Sequence, residues 1–383
     1  MSKYSFDEIV NRRNTNSAKW DVKGNELPMW VADMDFHVLP EIKSAIDKRN
    51  NVDAFGYIEC PKEYFDAVAQ WWNKYHHINV QPSQLAFCTG VVAGIDSIFK
   101  HLVPKGSNVV VQTPVYHIFF HCIKNNGLEE LDNQLLYKND NYKINFAELE
   151  EHLKLDNTKA LLLCNPHNPV GRIWTKEELK RIADLCEKYN VLLISDEIHA
   201  DITEPGYEFN SILTVTDNAI VLSAPTKTFN IAAIQSAFVI CKDNELLERI
   251  KEGLGQDDIG EPNYFAPFAA IAAYTYGNQW VKEMRKYVFN NKKYISAFIN
   301  KELPELKLID NKATYLLWLD ISHYSHDSEK FANELRDKTG LFVSNGKQFG
   351  KGGESFLRIN AATSLANVKD ACNRLKSFIK DYE

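Results

Sequence analysis

The sequence lacks long hydrophobic runs, and no apolar stretch approaches the ~20 residues that a membrane-spanning helix requires. Seven cysteines are present but no Cys-x-x-Cys pair, which excludes an evident disulfide framework or zinc site. Repeats, low-complexity tracts and Gly/Ser/Pro linkers are also missing. The first six residues, Met-Ser-Lys-Tyr-Ser-Phe, lack the hydrophobic core of a signal peptide. We therefore expect a soluble cytoplasmic protein.

The net charge limits the classes of binding partner, and the length indicates the domain organisation. Acidic residues outnumber basic ones, 51 to 44, and the net charge of -7 argues against nucleic acid or an anionic membrane as a partner. A chain of 383 residues is long enough for two domains. The pattern predicts a large domain over residues 45–280. Residues 1–44 and 281–383 would form a small domain, with a site between the two.

The middle of the chain predicts an α/β fold with a mostly parallel sheet flanked by helices. Short apolar runs, typical of strands buried on both faces, occur at residues 109–111, 161–163, 191–194 and 220–222. The last three lie about 30 residues apart, as βαβ units do. Thr175 and Glu178 indicate a capping box at the start of one connecting helix. After residue 281, a long helix and strands near 315–320 and 356–360 predict a smaller α/β domain.

Three polar segments follow these apolar runs directly. Lys227 follows the run at 220–222, Asp196 follows the run at 191–194, and Asn168 lies in the Asn-Pro-His-Asn-Pro-Val-Gly turn at 165–171. Open α/β sheets bind ligands at the carboxyl ends of their strands, so these residues should converge. A desolvated lysine amine reacts with an aldehyde, and an acid opposite a protonated pyridine nitrogen keeps that ring electron-poor. The combination predicts a pyridoxal 5'-phosphate (PLP) enzyme.

Each of these residues also has a structural interpretation. Lys227 would otherwise be a solvated surface charge, and Asp196 a cap of the following helix. The turn around Asn168 would be rigid because of its prolines and glycine alone. Asn165 and Glu197 are expected to serve the fold rather than a ligand.

A glycine turn and a strand arginine extend the predicted site. Gly90, Val91 and Val92 begin a helix, where free backbone N–H groups and the helix dipole favour a phosphate. Arg358 lies between apolar residues in a predicted strand. Its guanidinium requires an anionic partner, either an internal acid or the α-carboxylate of an amino-acid substrate.

Several other residues attract notice. Tyr116 follows a strand end and is positioned to stack on the cofactor ring. Tyr57 lies in a loop that physics alone does not place. His117 and His121 have the spacing of a helical metal pair but no third ligand. Asp33 and Asp35 resemble a paired-carboxylate site, although a role in the loop is favoured.

Four motifs together resemble the fold type I, class I/II aminotransferase-like family of PLP enzymes, over nearly the whole chain. Within that family the chain is similar to the bacterial cystathionine β-lyase (C–S lyase) branch. The motifs are Lys-Trp-Asp at 19–21, Leu-Pro-Met-Trp-Val-Ala-Asp-Met-Asp-Phe at 27–36, Ser-Asp-Glu-Ile-His at 195–199 and Ala-Pro-Thr-Lys-Thr-Phe-Asn at 224–230. Any one of them alone is a weak signal.

The resemblance implies a homodimer with its site at the subunit interface and assigns a role to each residue. Lys227 would bear the cofactor and act as general base, Asp196 would bind the pyridine nitrogen, Asn168 would bind the phenolic oxygen with His199 nearby, and Tyr116 would stack on the ring and take part in catalysis. The phosphate would be bound by Gly90, Val91, Val92 and Thr226. Arg358 would bind the substrate carboxylate, Ala32 would contact the substrate, and Tyr57 would reach the phosphate and substrate of the neighbouring subunit.

Departures from the general aminotransferase pattern favour a lyase. Gln235 stands where an arginine that grips the phosphate is expected, and Ala224 replaces a serine, leaving Thr226 and Ser223 as hydroxyl donors. His199 replaces a tyrosine.

The expected reaction is β-elimination on S-substituted cysteines such as L-cystathionine, giving a thiol (homocysteine), pyruvate and ammonia. An amino-acid aminotransferase is the alternative, and regulation of a transcription factor by contact would be a second role.

Overall fold

The computed structural model describes residues 3–8 and 10–382. The helices in this part of the chain are α1 (Pro40–Asn50), α2 (Lys62–Tyr75), α3 (Val91–Leu102), α4 (Ile118–Asn125), α5 (Phe146–Leu153), α6 (Lys176–Lys188), α7 (Pro225–Thr228), α8 (Asn244–Gln256), α9 (Ala266–Tyr276), α10 (Asn278–Glu302), α11 (Ser328–Thr339) and α12 (Leu365–Lys380). The strands are β1 (Leu27–Pro28), β2 (Leu85–Cys88), β3 (Asn108–Val111), β4 (Glu129–Asp132), β5 (Leu136–Lys138), β6 (Asn141–Lys143), β7 (Thr158–Cys164), β8 (Leu192–Asp196), β9 (Ile220–Ser223), β10 (Ala237–Cys241), β11 (Lys307–Leu308), β12 (Leu316–Asp320), β13 (Leu341–Phe342), β14 (Ser344–Asn345) and β15 (Phe356–Asn360).

The larger sheet has seven strands in the order β2-β10-β9-β8-β7-β3-β4. Only β10 runs against its neighbours, so the sheet is mostly parallel, as predicted. Successive residues of its strands face opposite sides. Leu161 and Leu163 join the core on one side of the sheet, whereas Ala160 and Leu162 join the core on the other side. Helices therefore cover both faces, and the strands read as continuous apolar runs.

The helix that connects β7 to β8 follows the predicted pattern. Thr175 and Glu178 form a capping box, in which the Glu178 backbone N–H donates to Thr175 Oγ1 at 3.2 Å. The buried stripe of α6 contains the predicted residues Leu179, Ile182, Ala183 and Cys186. The helix lies against the sheet and returns the chain so that β7 and β8 end at the same edge.

A second, antiparallel sheet has the order β11-β12-β15-β14 and packs with α10, α11 and α12. The predicted long helix is α10, which begins at Asn278. Near the start of the chain, β1 pairs in parallel with β13 and so joins the N-terminal segment to this region. The boundaries predicted near residues 45 and 280 stay a prediction. Among the described residues, no helix combines the length and apolar character needed to cross a membrane.

Candidate active site

The carboxyl ends of three adjacent parallel strands meet at one edge of the larger sheet. Strand β7 leads into the turn that contains Asn168, β8 ends at Asp196, and β9 leads into α7, which carries Lys227. Lys227 and Asp196 are close enough that each shifts the pKa of the other. The topology therefore brings together the three residues that the strand-end argument selected.

Lys227 is a partly enclosed amine with a backbone acceptor. Its Nζ donates to the carbonyl oxygen of Ala32 at 2.6 Å. The pKa of Lys227 is lowered to about 8, chiefly by burial and also by nearby Arg358, while Asp33 and Asp196 oppose the shift. A substantial fraction of this amine is consequently neutral and nucleophilic in mildly alkaline solution.

Asp196 is buried, with 5% of its surface exposed. One carboxylate oxygen accepts the backbone N–H of Ile198 at 3.0 Å. Burial raises the pKa of Asp196 to about 7, although the Ile198 hydrogen bond and Lys227 act in the opposite direction. The described side chains therefore do not compensate the burial of this carboxylate, which is the environment expected for an acid that meets a cationic ligand.

The neighbouring Glu197 faces away from Lys227, as expected for consecutive strand residues. Its Oε1 accepts from Asn165 Nδ2 at 3.2 Å and from Ser195 Oγ at 3.0 Å. Asn165 also donates to the carbonyl of Asn210 at 2.8 Å. Glu197 and Asn165 thus hold the loop at 210–212 and serve the fold.

Arg358 lies in β15 opposite Trp318 and reaches the same edge of the larger sheet. Its Nη1 donates to Asn168 Oδ1 at 3.2 Å and its Nη2 to the Trp30 carbonyl at 3.0 Å. The Nε atom is buried without a hydrogen-bond partner among the described residues. Burial lowers the pKa of Arg358 to about 10. The guanidinium therefore contacts an amide and a carbonyl rather than an internal acid, and it keeps an open donor.

The first turn of α3 is open to an anion. Gly90 precedes the helix in an extended conformation (φ -172°, ψ 152°) and no side chain caps the helix. The helix lies so close to the sheet that a Cβ at Gly94 would be 2.6 Å from Leu222 Cδ2. The backbone N–H groups at Val91 and Val92 are among those that have no acceptor within a helix.

Tyr116 and His199 surround the same edge. Burial raises the pKa of Tyr116 to about 12, with smaller opposing effects from Arg358 and Asp196 that place the phenol near both. His199 is buried, and burial lowers its pKa to about 3. Its Nδ1 has no hydrogen-bond partner among the described residues. At neutral pH, His199 is therefore a neutral imidazole with an open ring nitrogen.

Other predicted residues lie less directly at the site. Thr226 precedes Lys227 within α7, whereas the Ser223 hydroxyl donates to the Glu197 carbonyl at 3.1 Å. The Ser223 hydroxyl is thus hydrogen-bonded to the backbone, and its role as a phosphate donor stays a prediction. Gln235 is exposed on a left-handed turn (φ 55°). Tyr57 is fully exposed, at 102% of its reference surface, and the single chain does not bring it to Lys227.

His117 immediately precedes α4 beside the site. Its pKa is lowered to about 4, chiefly by burial and also by Arg358 and His121. The rings of His117 and His121 are 6.1 Å apart. Within the described ranges, no group of three or more potential ligands is arranged to hold a metal ion.

Sequence reasoning missed Tyr315, whose hydroxyl donates to the Ala32 carbonyl at 2.9 Å. It also left Asp33 and Asp35 as loop residues without partners. Asp35 accepts from Lys19 Nζ at 2.9 Å, from Trp20 Nε1 at 2.6 Å and from Arg12 Nη2 at 2.9 Å. The available signal was the joint occurrence of the motifs at 19–21 and 27–36, which these bonds connect.

The motif at 224–230 is tied to the same segment. Asn230 Oδ1 accepts the backbone N–H of Met34 at 3.0 Å, and Asn230 Nδ2 donates to the Phe36 carbonyl at 2.9 Å. Both atoms of the side-chain amide are therefore used to fix the 27–36 segment beside Lys227.

Comparison with known proteins assigns the class. Residues 28–375 match the family described as aminotransferase class I and II, and the chain belongs to this family. The family and fold predicted from the four motifs are thereby confirmed.

The relatives indicate the branch. The chain is 36% identical to cystathionine beta-lyase PatB of Bacillus subtilis, over 97% of this chain and 99% of the relative. It is 30% identical to the protein MalY of Escherichia coli, over 96% of each chain. Among solved structures it is similar to cystalysin from Treponema denticola, which contains a pyridoxal 5'-phosphate cofactor. That match has a TM-score of 0.95 and 32% identity, and it covers 99% of this chain and 100% of the other.

Proposed function

We propose that this protein is a PLP-dependent carbon–sulfur β-lyase. It cleaves S-substituted cysteines such as L-cystathionine into a thiol (homocysteine), pyruvate and ammonia. The observation that carries the proposal is the convergence of a desolvated amine, an uncompensated buried acid and a buried guanidinium at one strand edge. Cystathionine β-lyases and cystalysin among the similar proteins support the same cofactor and reaction.

The residues present fit PLP, because each kind of group on that cofactor has a chemically matched candidate. The uncompensated carboxylate of Asp196 matches a protonated pyridine nitrogen. The open first turn of α3 matches a phosphate. Asn168 and the open nitrogen of His199 are donors for a phenolic oxygen. Lys227 supplies the amine that reacts with the aldehyde, and Tyr116 supplies a ring for stacking.

When bound, PLP supplies an electron sink that stabilises negative charge at the substrate Cα. Arg358 binds the substrate α-carboxylate, since its open Nε and its forked geometry suit a carboxylate. Lys227 acts as general base at the Cα proton, because burial brings its pKa to about 8. Asp196 stays charged next to the cation it faces and so maintains the sink.

The leaving group follows from ordinary acidities. A thiol with a pKa of about 8.5 leaves from Cβ far more readily than an alcohol. The residues around the substrate Cβ therefore need not supply a strong acid to the leaving group. His199 and His117 are both neutral at neutral pH, which suits elimination of a thiolate.

The assembly is proposed to be a homodimer in which Tyr57 reaches the phosphate and substrate of the neighbouring subunit. The fully exposed Tyr57 supports this, as do the exposed apolar side chains Val52 and Phe55 in the same loop. Within the chain, Phe55 packs edge-on against Tyr264, with ring centroids 5.3 Å apart. Two domains with boundaries near residues 45 and 280 and a cytoplasmic location belong to the same proposal.

The purified, PLP-loaded protein tests the function directly. Given L-cystathionine without any keto acid, it should release pyruvate and homocysteine in equal amounts. A protein that loses its yellow colour with amino acids, forms the pyridoxamine form of the cofactor and makes no pyruvate would be an aminotransferase instead. Lys227→Ala should make no pyruvate, and robust lyase activity in that variant would contradict the proposed role of Lys227.

A further inference from the structure

The segment at residues 30–33 contacts residues of both sheet regions, and side chains bind each of its carbonyl groups. Asn360 Nδ2 donates to the carbonyls of Val31 at 2.7 Å and Asp33 at 2.5 Å. Ser344 Oγ donates to the Trp30 carbonyl at 3.1 Å, alongside Arg358. These donors come from β14 and β15 of the smaller sheet, which therefore sets the position of the segment.

The Ala32 carbonyl differs because it accepts from both sides. Lys227 Nζ approaches from the larger sheet at 2.6 Å, and the Tyr315 hydroxyl approaches from the smaller one at 2.9 Å. Tyr315 is fully buried, with 0% of its surface exposed. Burial also raises the pKa of this phenol far above its usual value, so it stays protonated and remains a donor.

These two donors behave differently during the proposed reaction. If Lys227 bonded to the cofactor aldehyde, with loss of water, its amine would no longer donate to the Ala32 carbonyl. It could donate again once a substrate amine had taken its place. Ala32 is partly buried, and a carbonyl that loses its protein donors loses the hydrogen bonds that hold it in place. Tyr315 remains in place through both states.

We propose that Tyr315 is a positioning residue that keeps the Ala32 carbonyl hydrogen-bonded while Lys227 alternates between this carbonyl and the cofactor. The inference rests on the proposed PLP-dependent function. Without the Tyr315 hydroxyl, the carbonyl is still bonded when Lys227 is free, but it has no donor when Lys227 is attached to the cofactor. Removing the hydroxyl therefore disfavours the attached state selectively.

The test compares two ligands on cofactor-free protein. PLP bonds to Lys227, whereas pyridoxine 5'-phosphate has an alcohol in place of the aldehyde and leaves Lys227 free. Tyr315→Phe should weaken PLP binding about tenfold, the loss expected when one hydrogen bond to a partly buried carbonyl is removed, and leave the affinity for pyridoxine 5'-phosphate unchanged. Equal weakening of both ligands, or no weakening of PLP, would overturn the inference.

Tyr64→Phe is the matched control. Tyr64 is equally buried, and its hydroxyl donates to the Ala237 carbonyl at 3.0 Å, away from Lys227. This variant should bind both ligands as the wild type does. An aldehyde-selective loss in Tyr64→Phe would also overturn the inference. If the wild type itself bound neither ligand, the proposed function would fail instead, so the two failures are distinguishable.

A second measurement does not depend on the folding of Tyr315→Phe. Fluorotyrosine incorporated at position 315 alone keeps the hydroxyl and the ring shape. Its fluorine resonance should differ between the PLP-loaded and the pyridoxine 5'-phosphate-loaded protein, because Tyr315 is the remaining donor to Ala32 only in the first. Identical resonances in the two forms would contradict the proposed alternation.

Discussion

Two lysines of this protein have lowered pKa values but lie in different surroundings. Lys227 follows β9 at the strand edge, and burial lowers its pKa to about 8. Lys292 lies in α10 with 6% of its surface exposed, and burial lowers its pKa to about 7. Its Nζ contacts the carbonyls of Thr314, Ala313 and Asn311 at 3.1, 3.3 and 3.5 Å, and it lies 4.1 Å from the centre of the Phe289 ring.

The difference shows that a shifted pKa alone does not identify a reactive group. Lys292 contacts three backbone carbonyls, so its amine is used to hold the 311–314 segment. Lys227 contacts the single carbonyl of Ala32 and faces Asp196. The same contrast separates two arginines. Arg358 keeps an open Nε, whereas Arg285 donates from Nε and Nη2 to Thr203.

The largest predicted effect is the loss of activity in Lys227→Met, which is compared with the same substitution at Lys292. Lys227→Met should lower kcat/KM for β-elimination by at least about 10³-fold, because the general base is lost, and it should change the unfolding temperature little. Pyruvate release and thermal unfolding measure the two effects. Lys292→Met is the matched control and should keep the wild-type kcat/KM. A comparable loss of activity in both variants would erase the distinction between the two lysines.

Arg358→Met should lower kcat/KM by about 10- to 100-fold, mainly through KM, because a charge-assisted bond to the substrate carboxylate is removed. Steady-state kinetics with L-cystathionine separate KM from kcat. Arg285→Met removes an arginine of α10 that is bonded to Thr203 and should reduce thermal stability without this rise in KM. A rise in KM in Arg285→Met but not in Arg358→Met would contradict the assignment of Arg358 to the substrate carboxylate.

Lys292→Met should lower the free energy of unfolding by about 1–3 kcal/mol, since the carbonyls at 311–314 lose their buried donor. Urea denaturation of the PLP-free protein measures this difference. Lys293→Met changes the adjacent lysine, whose side chain is 68% exposed, and should have a much smaller effect. Equal losses at the two positions would show that the buried contacts contribute little.

The smallest effect concerns pH. The folded-state pKa of Lys292 is lowered from 10.5 to about 7, so between these values the unfolded chain binds more protons than the folded one. The stability of the wild type relative to Lys292→Met should therefore rise with pH, by about 1 kcal/mol between pH 7 and pH 8. Denaturation curves at the two pH values test this. A constant difference would mean that Lys292 stays charged in the folded protein.

The strand-end residues were predictable from the sequence because topology fixes where parallel strands end. Asp196 ends one strand, and Asn168 and Lys227 lie in the short segments that follow two others, so recognising the strands was enough to group them. Arg358 was identified from its apolar neighbours in a strand. The structure brings these four residues together, while their individual roles toward the cofactor stay predictions. The dimer contact of Tyr57 also stays a prediction.

The remaining residues depend on contacts that no local pattern records. Lys227 and Ala32 are 195 residues apart in sequence, and Tyr315 and Ala32 are 283 apart. Tyr315 precedes a strand and looks like an ordinary core aromatic in the sequence. Lys292 lies in a helix where a solvated lysine is the normal expectation. Contact with Ala32 distinguishes Lys227 and Tyr315 from their neighbours, and contact with the carbonyls at 311–314 distinguishes Lys292.

The anchoring of residues 30–33 limits how this family can be recombined. A chimaera with everything before α1 from one relative and the rest from another would inherit the Ala32 carbonyl from one parent. It would inherit Tyr315, Arg358 and Asn360, which bind this segment, from the other. A crossover at that position separates the lysine's acceptor from the side chains that hold it. Exchange after β15 leaves these partners in one parental block.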